Sequence, residues 1–341
     1  MQSYSIFWEW LPVSFRRFCF TVSVPDLISP LPRLEMTSKL GIEVLRQRIV
    51  KLITDEGRLK AEEFRVRSTE VFVTGSYKSG TTWMQQIVHQ LRTGGDMDFA
   101  EMMEVFPVLD VAHGIGQDLN MEQKAFPRCF KCHYGYDTCP KGARYIWCVR
   151  EPCAVAYSYF NNLQGWIFQP GEVSLEDFIR EYWLVDESHS LLYFHQLASW
   201  WPHRNDPNVL LVFYEDLKEN YESSVRCVAE FMGITDEGCI QVALERGTFE
   251  FMKQHSDKFD QKLIKQYCNV RCGLPESAGM GQSKIRTGSA TEGLKMVPLE
   301  IHSEIQKQWE AIVSPVTGCA NYPELRTAWK KEKQRKWNIV H

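Results

Sequence analysis

One short stretch limits this chain more than any other: Gly75-Ser76-Tyr77-Lys78-Ser79-Gly80, between a strand-like run and a helix-like one. Glu70-Val71-Phe72-Val73-Thr74 reads as a buried strand, and from Thr81 onward Met84, Ile87, Val88 and Leu91 recur on one helical face. Strand, glycine loop, helix is an arrangement that binds phosphate, because free backbone amides and the helix dipole meet at the helix start. The two glycines are those of a P-loop, yet Thr81 follows Gly80 where a nucleotidase places its lysine, and the lysine stands inside the loop as Lys78. The hydroxyls of Ser79, Thr81 and Thr82 and the Lys78 ammonium complete a cradle that needs no metal ion. Taken alone, a plain strand-to-helix turn explains the glycines equally well.

The rest of the chain repeats the alternation. Tyr145–Val149 and Val209–Phe213 are nearly continuous apolar runs, as buried parallel strands are. Between and after them, a helix is opened by the Ser174-x-x-Asp177 cap, and another carries Val225, Val228 and Phe231 and stops at Gly233. Leu40, Ile42, Leu45, Ile49 and Leu52 predict a leading helix capped by Thr37 or Ser38. This pattern predicts an α/β fold of three layers, P-loop-like, with a central parallel sheet flanked by helices. We divide the chain into a flexible N-terminal extension over 1–36, a single domain over 37–329 and a solvated basic tail over 330–341.

Composition narrows the partners. With 341 residues, 44% apolar, the chain buries a full core, and a net charge of −4 argues against a general nucleic-acid binder. Eleven cysteines, an odd number, and no Asn-x-Ser/Thr sequon point to a reducing compartment and a cytoplasmic protein. The aromatic N-terminal stretch is broken by Glu9, Arg16 and Arg17, so no membrane span is expected there.

Lys78-Ser79-Gly80-Thr81-Thr82-Trp83 resembles the phosphosulfate loop of the cytosolic sulfotransferases. The resemblance implies the donor 3′-phosphoadenosine 5′-phosphosulfate as co-substrate, 3′-phosphoadenosine 5′-phosphate as product, and no metal. Arg150 and Ser158, eight residues apart, match the pair that grips the 3′-phosphate, and Arg286, Thr287 and Gly288 match a later segment with the same task. Trp83 and Phe249 match the aromatics that sandwich the adenine, beside Thr248, and Tyr214 matches the tyrosine near its amino group. Lys131-Cys132-His133 matches the family's Lys-x-His at a strand end, which implies His133 as general base, with Lys78, Lys131 and Ser158 assisting. Five positions depart from the usual pattern: Ser76 and Tyr77 for a tyrosine and a proline, Gly247 for a threonine, Thr287 for a lysine and Leu294 for a tryptophan.

The acceptor is expected to be a small molecule, phenol, sterol, alcohol or amine. Phe99, Phe106, Trp166 and Phe168 are candidates to line an apolar pocket for it, with plain core as the other reading. A homodimer is possible, though the family's short dimer motif is not found near 295–298. Two patterns compete for the same residues. Cys129-x-x-Cys132-His133 has the spacing of c-type haem attachment, which the missing export signal disfavours, and Cys268 and Cys272 complete a four-thiolate zinc set with Cys129 and Cys132 only across a long gap. A P-loop kinase or nucleotidase and a catalytically silent nucleotide-binding homologue are the alternative functions.

Overall fold

In a computed structural model, which describes residues 38–185 and 193–340, β1 (Val71–Thr74) pairs in parallel on one side with β2 (Cys129–Cys132) and on the other with β3 (Arg144–Val149). β4 (Val209–Phe213) extends the sheet beyond β3, so the order is β2-β1-β3-β4 and every pairing is parallel. The expected α/β architecture is present. The extension expected over 1–36 lies outside the described residues.

Side-chain alternation along these strands builds two cores. Phe72, Phe130, Tyr145 and Trp147 point to one face and join the larger cluster, where Phe72 stacks on Phe130 with ring centroids 5.4 Å apart. Val71, Val73, Cys129, Ile146 and Cys148 point to the other, against Met84, Ile87 and Leu91 of the helix Thr81–Thr93 and Val225 and Val228 of the helix Tyr221–Met232. β4 corrects one detail of the sequence reading. It is the sheet's edge, and Leu210 and Val212 are only half-buried despite its unbroken apolar run.

The local signals behave as their chemistry requires. Ser174 Oγ accepts from the Asp177 N–H at 3.0 Å, and Gly233 ends its helix in the left-handed conformation that a side chain disfavours. At the C-terminal end a helix runs Tyr322–Val340, so the segment read as a solvated tail continues a helix as far as Val340. Arg326 and Lys330, one turn apart, meet Asp216, with Lys330 Nζ 2.8 Å away. No helix among the described residues is long and apolar enough to cross a membrane.

The sheet's lower edge is tied by a buried ion pair. Glu70, just before β1, accepts from Arg128 Nε at 2.9 Å and from the Arg67 N–H at 3.0 Å; its side chain is 1% exposed and that of Arg128 5%. Removing one buried partner strands the other's charge, at a cost of about 3–5 kcal/mol. Glu70→Ala is expected to lose that much stability in urea denaturation, while Glu43→Ala, on the exposed face of the first helix, stays within about 0.5 kcal/mol.

Candidate active site

Because β1 has β2 on one side and β3 on the other, chain connections leave its carboxyl end in opposite directions and open a crevice there. The loop Gly75–Gly80 fills that position. Three loop residues have positive φ: Gly75 at 148°, Lys78 at 69° and Gly80 at 95°. At Gly80 a Cβ would lie 2.7 Å from the Tyr214 ring, so only glycine lets the loop pass that close. Ser79 is turned inward, its Oγ 2.6 Å from that of Ser76, and it does not line the cavity.

Lys78 therefore leaves the loop in a left-handed conformation, its Nζ donating to Asn162 Oδ1 at 3.0 Å. Asn162 lies one turn beyond Ser158 on the helix Pro152–Leu163, and both line the cavity above the loop. Burial, with Arg150 and Lys131 adding repulsion, holds the Lys78 ammonium down to about 7. Lys131 is lowered to about 8 by burial, against the pull of Asp110. Burial penalises the charged forms of both lysines, and an arriving anion would favour them.

Arg150 closes the same cavity from the end of β3. Its Nη1 donates to the Lys78 carbonyl at 3.1 Å and its Nη2 to the Ser289 carbonyl at 2.8 Å, while the guanidinium carbon stands 4.3 Å from the Tyr214 ring centre. The buried Nε has no partner. An orphaned guanidinium donor in a cavity that also holds Ser158 suits a phosphate. Arg286, on the opposite lip, is engaged in a two-bond pair with Glu292, at 2.7 and 2.5 Å, and Thr287 Oγ1 donates to the same carboxylate at 2.7 Å. Gly288 (φ 63°) passes so close to Phe249 that a Cβ would come within 2.6 Å of the ring.

Trp83, Phe249 and Tyr214 line one end of this cavity, as a base-binding end requires. Trp83 is fixed by its Nε1 donating to the Gly247 carbonyl at 2.6 Å and by stacking on Tyr221. That contact explains why glycine stands at 247: a Cβ there would lie 2.4 Å from the Tyr221 hydroxyl. Thr248 does not face the cavity. Its hydroxyl caps the helix Phe249–Gln254, accepting from the Phe251 N–H.

His133 follows β2 directly and is buried at 4% exposure. Its Nδ1 donates to the Gly75 carbonyl at 2.7 Å, which leaves Nε2 as the basic nitrogen. Burial, then Lys131, holds its pKa well below the usual histidine value, so the ring is neutral. Tyr77, the residue standing in place of a proline, lies against the ring at 4.1 Å between centroids and stacks on Tyr159. His133, Lys131, Tyr77 and Lys284 line both the cavity already described and a second one beyond them.

The second cavity is walled by apolar side chains that include Leu52, Met103 and Trp166, with Glu101 and Asp110 as its acids. Among the aromatics expected there only Trp166 is on its wall. Phe99 and Phe106 are packed into the core behind the helix Thr81–Thr93, and Phe168 into the aromatic cluster with Phe160 and Phe178, because each lies on the buried side of its segment. Asp110 was not anticipated. It is 1% exposed, accepts from the His133 N–H at 3.3 Å, leaves Oδ2 without a partner, and is raised by burial to about 7. The signal lay in Val108-Leu109-Asp110, an acid ending an apolar run. The four-thiolate zinc set does not assemble: Cys132 faces Cys139 at 3.7 Å, and no group of three or more His, Cys, Asp or Glu side chains that could hold a metal ion is found among the described residues.

The comparisons agree with this geometry. The chain is similar to a bovine protein, sulfotransferase 1E1, at 28% identity over 57% of this chain and 69% of the relative. A rabbit amine sulfotransferase is 27% identical over 57% of this chain and 66% of the relative, so the match spans about two thirds of such proteins. Human sulfotransferase 4A1 is 27% identical over 65% and 76%. In structure the chain resembles retinol dehydratase in complex with androsterone and inactive cofactor PAP, with TM-score 0.59 and 21% identity over 76% of this chain and 85% of that one. Mouse SULT7A1 complexed with PAP gives TM-score 0.55 and 19% identity over 76% and 90%. The family model for the sulfotransferase domain matches residues 68–285, most of the described chain from the start of β1 to the closing segment, and the chain belongs to the sulfotransferase family.

Proposed function

We propose that this chain transfers a sulfuryl group from 3′-phosphoadenosine 5′-phosphosulfate to a hydroxyl or amine of a small, mainly apolar acceptor, with His133 as general base and in-line displacement. The observation that carries this reading is a neutral histidine, its Nδ1 committed to Gly75, on the wall common to a cavity lined by Lys78, Arg150 and Arg286 and an apolar one. The donor supplies the activated sulfuryl group. Lys78, Thr81 and Thr82 hold its 5′-phosphate end, Arg150, Ser158 and Arg286 its 3′-phosphate, and Trp83 and Phe249 its base. His133 takes the acceptor's proton at Nε2, and Lys78 and Lys131 meet the charge that gathers on the leaving oxygen. The second cavity's lining favours apolar acceptors, in keeping with relatives and neighbours whose names cite an amine, androsterone and retinol.

His133→Ala is expected to lower turnover by roughly 10²–10⁴-fold and to leave the affinity for 3′-phosphoadenosine 5′-phosphate unchanged, measured by calorimetry beside a radiolabelled transfer assay against a panel of phenols, sterols and amines. Retained turnover would remove His133 from its role. A wild-type chain that binds the nucleotide but transfers to nothing would favour the silent homologue.

Binding should also take up protons. In the free site Lys78 stands at about 7 and Lys131 at about 8, so at pH 8 both are partly neutral, and an arriving phosphate favours their charged forms. Calorimetry at pH 8 in two buffers of different ionisation enthalpy is expected to show net proton uptake, with affinity falling as pH rises from 7 to 9. Proton release, or an affinity flat across that range, would contradict the assignment of these lysines.

A further inference from the structure

Lys284 lines three spaces at once: the donor cavity, the apolar cavity and a small polar pocket beside Asn161 and Lys265. In the sequence it is only the first residue of the closing segment. The backbone around it is held on both sides. Its own N–H donates to Asp260 Oδ1 at 2.9 Å, and Lys253 Nζ donates to the next carbonyl, that of Ile285, at 2.6 Å. Its ammonium, by contrast, makes no hydrogen bond or ion pair among the described residues.

The surroundings make that freedom costly. Lys131, Lys78 and Lys265 are its charged neighbours of like sign, and burial together with their repulsion holds it well below the usual lysine value. Glu101 is the acid that faces it, and Glu101 Oε2 already accepts from the Leu263 N–H at 2.7 Å. Lys131 and Lys284 thus stand on the wall that the two cavities share, and Lys78, which lines the donor cavity and not the apolar one, adds a third like charge to their surroundings. An anion placed there relieves repulsion that the empty arrangement bears.

Position tells which anion. Arg150, Trp83, Tyr214 and Phe249, the groups suited to the nucleotide, line the donor cavity and not the apolar one. Lys284 shares both with His133 and Lys131, where a group must pass from donor to acceptor. On the reading proposed above, we infer that Lys284 is a further catalytic residue, whose ammonium holds the oxygens of the sulfuryl group during its transfer. In that step the sulfur–oxygen bond to the donor phosphate breaks and its electron pair stays on the phosphate. A sulfur–oxygen or sulfur–nitrogen bond to the acceptor forms, and the acceptor proton passes to His133. Lys284 gives up no proton and serves as a fixed cation.

Two nucleotides that differ only by the sulfuryl group isolate this contact. With no acceptor present, dissociation constants of 3′-phosphoadenosine 5′-phosphosulfate and 3′-phosphoadenosine 5′-phosphate are measured by calorimetry for wild type, Lys284→Met and Lys284→Arg. Lys284→Met is expected to weaken the sulfated nucleotide about tenfold, the size of one charge-assisted hydrogen bond, and to leave the desulfated one within about twofold. Lys284→Arg is expected to recover most of the loss. Equal weakening of both nucleotides would make Lys284 a phosphate ligand, and no weakening of either would remove it from the site; each overturns the inference. Should Lys284→Met bind neither because it fails to fold, Lys284→Gln carries the same comparison. A wild-type chain that binds neither nucleotide would instead defeat the donor assignment itself.

Discussion

Hydrogen bonding on both sides of β1 is the constraint from which the site follows. A strand of four residues has little hold of its own, yet Val71–Thr74 is paired along its length with β2 and β3, and all four of its residues are buried. Its carboxyl end is therefore fixed relative to the ends of both neighbours. The loop Gly75–Gly80 leaves from that end, His133 follows the end of β2, and Arg150 follows the end of β3. The bonds that link them, His133 to the Gly75 carbonyl and Arg150 to the Lys78 carbonyl, run from the neighbours to the loop. His133, the glycine loop and the Arg150 guanidinium are thus placed by the sheet.

Around that frame the charges are arranged against their own stability. Burial lowers Lys78, Lys131 and Lys284, the Lys131 charge lowers the other two further, and Asp110 keeps an oxygen unpaired beside His133. A folded protein tolerates such repulsion where large cores on both faces of the sheet outweigh it. The aromatic face, with Phe72, Phe130, Tyr145 and Trp147 packed under the sheet, supplies rigidity without contributing a charge. Tyr77 extends the same principle into the site, since its ring shields His133 from water and helps keep the imidazole neutral.

How much of this was legible depended on whether a residue acts through its neighbours in the chain or across it. The loop, its helix and three strands could be read because their signals are local: glycine at Gly80, periodic Met84, Ile87 and Leu91, continuous apolar runs. β2 was legible only through the Lys-x-His resemblance, because Cys129-Phe130-Lys131-Cys132 carries a lysine where a buried strand should be apolar. The acceptor side resisted. Phe99, Phe106 and Phe168 have the composition of pocket residues, and only tertiary packing decides that they belong to the core. Asp110 and Lys284 were missed for the opposite reason, since nothing near them in the chain reveals that they meet His133 and Lys131.

The pair formed by Arg286 and Glu292 bears on how tightly an anion can be held at this lip of the cavity. Its carboxylate already offers the guanidinium the two parallel acceptors that a phosphate would bring. Whatever docks at Arg286 therefore gains only the difference between two similar ion pairs, and whatever departs leaves behind no bare cation. Glu292 thereby occupies the place at Arg286 that an incoming anion would take. On the reading proposed above, in which Arg286 holds the 3′-phosphate and the spent nucleotide leaves after every transfer, such a competitor hastens departure at modest expense in grip.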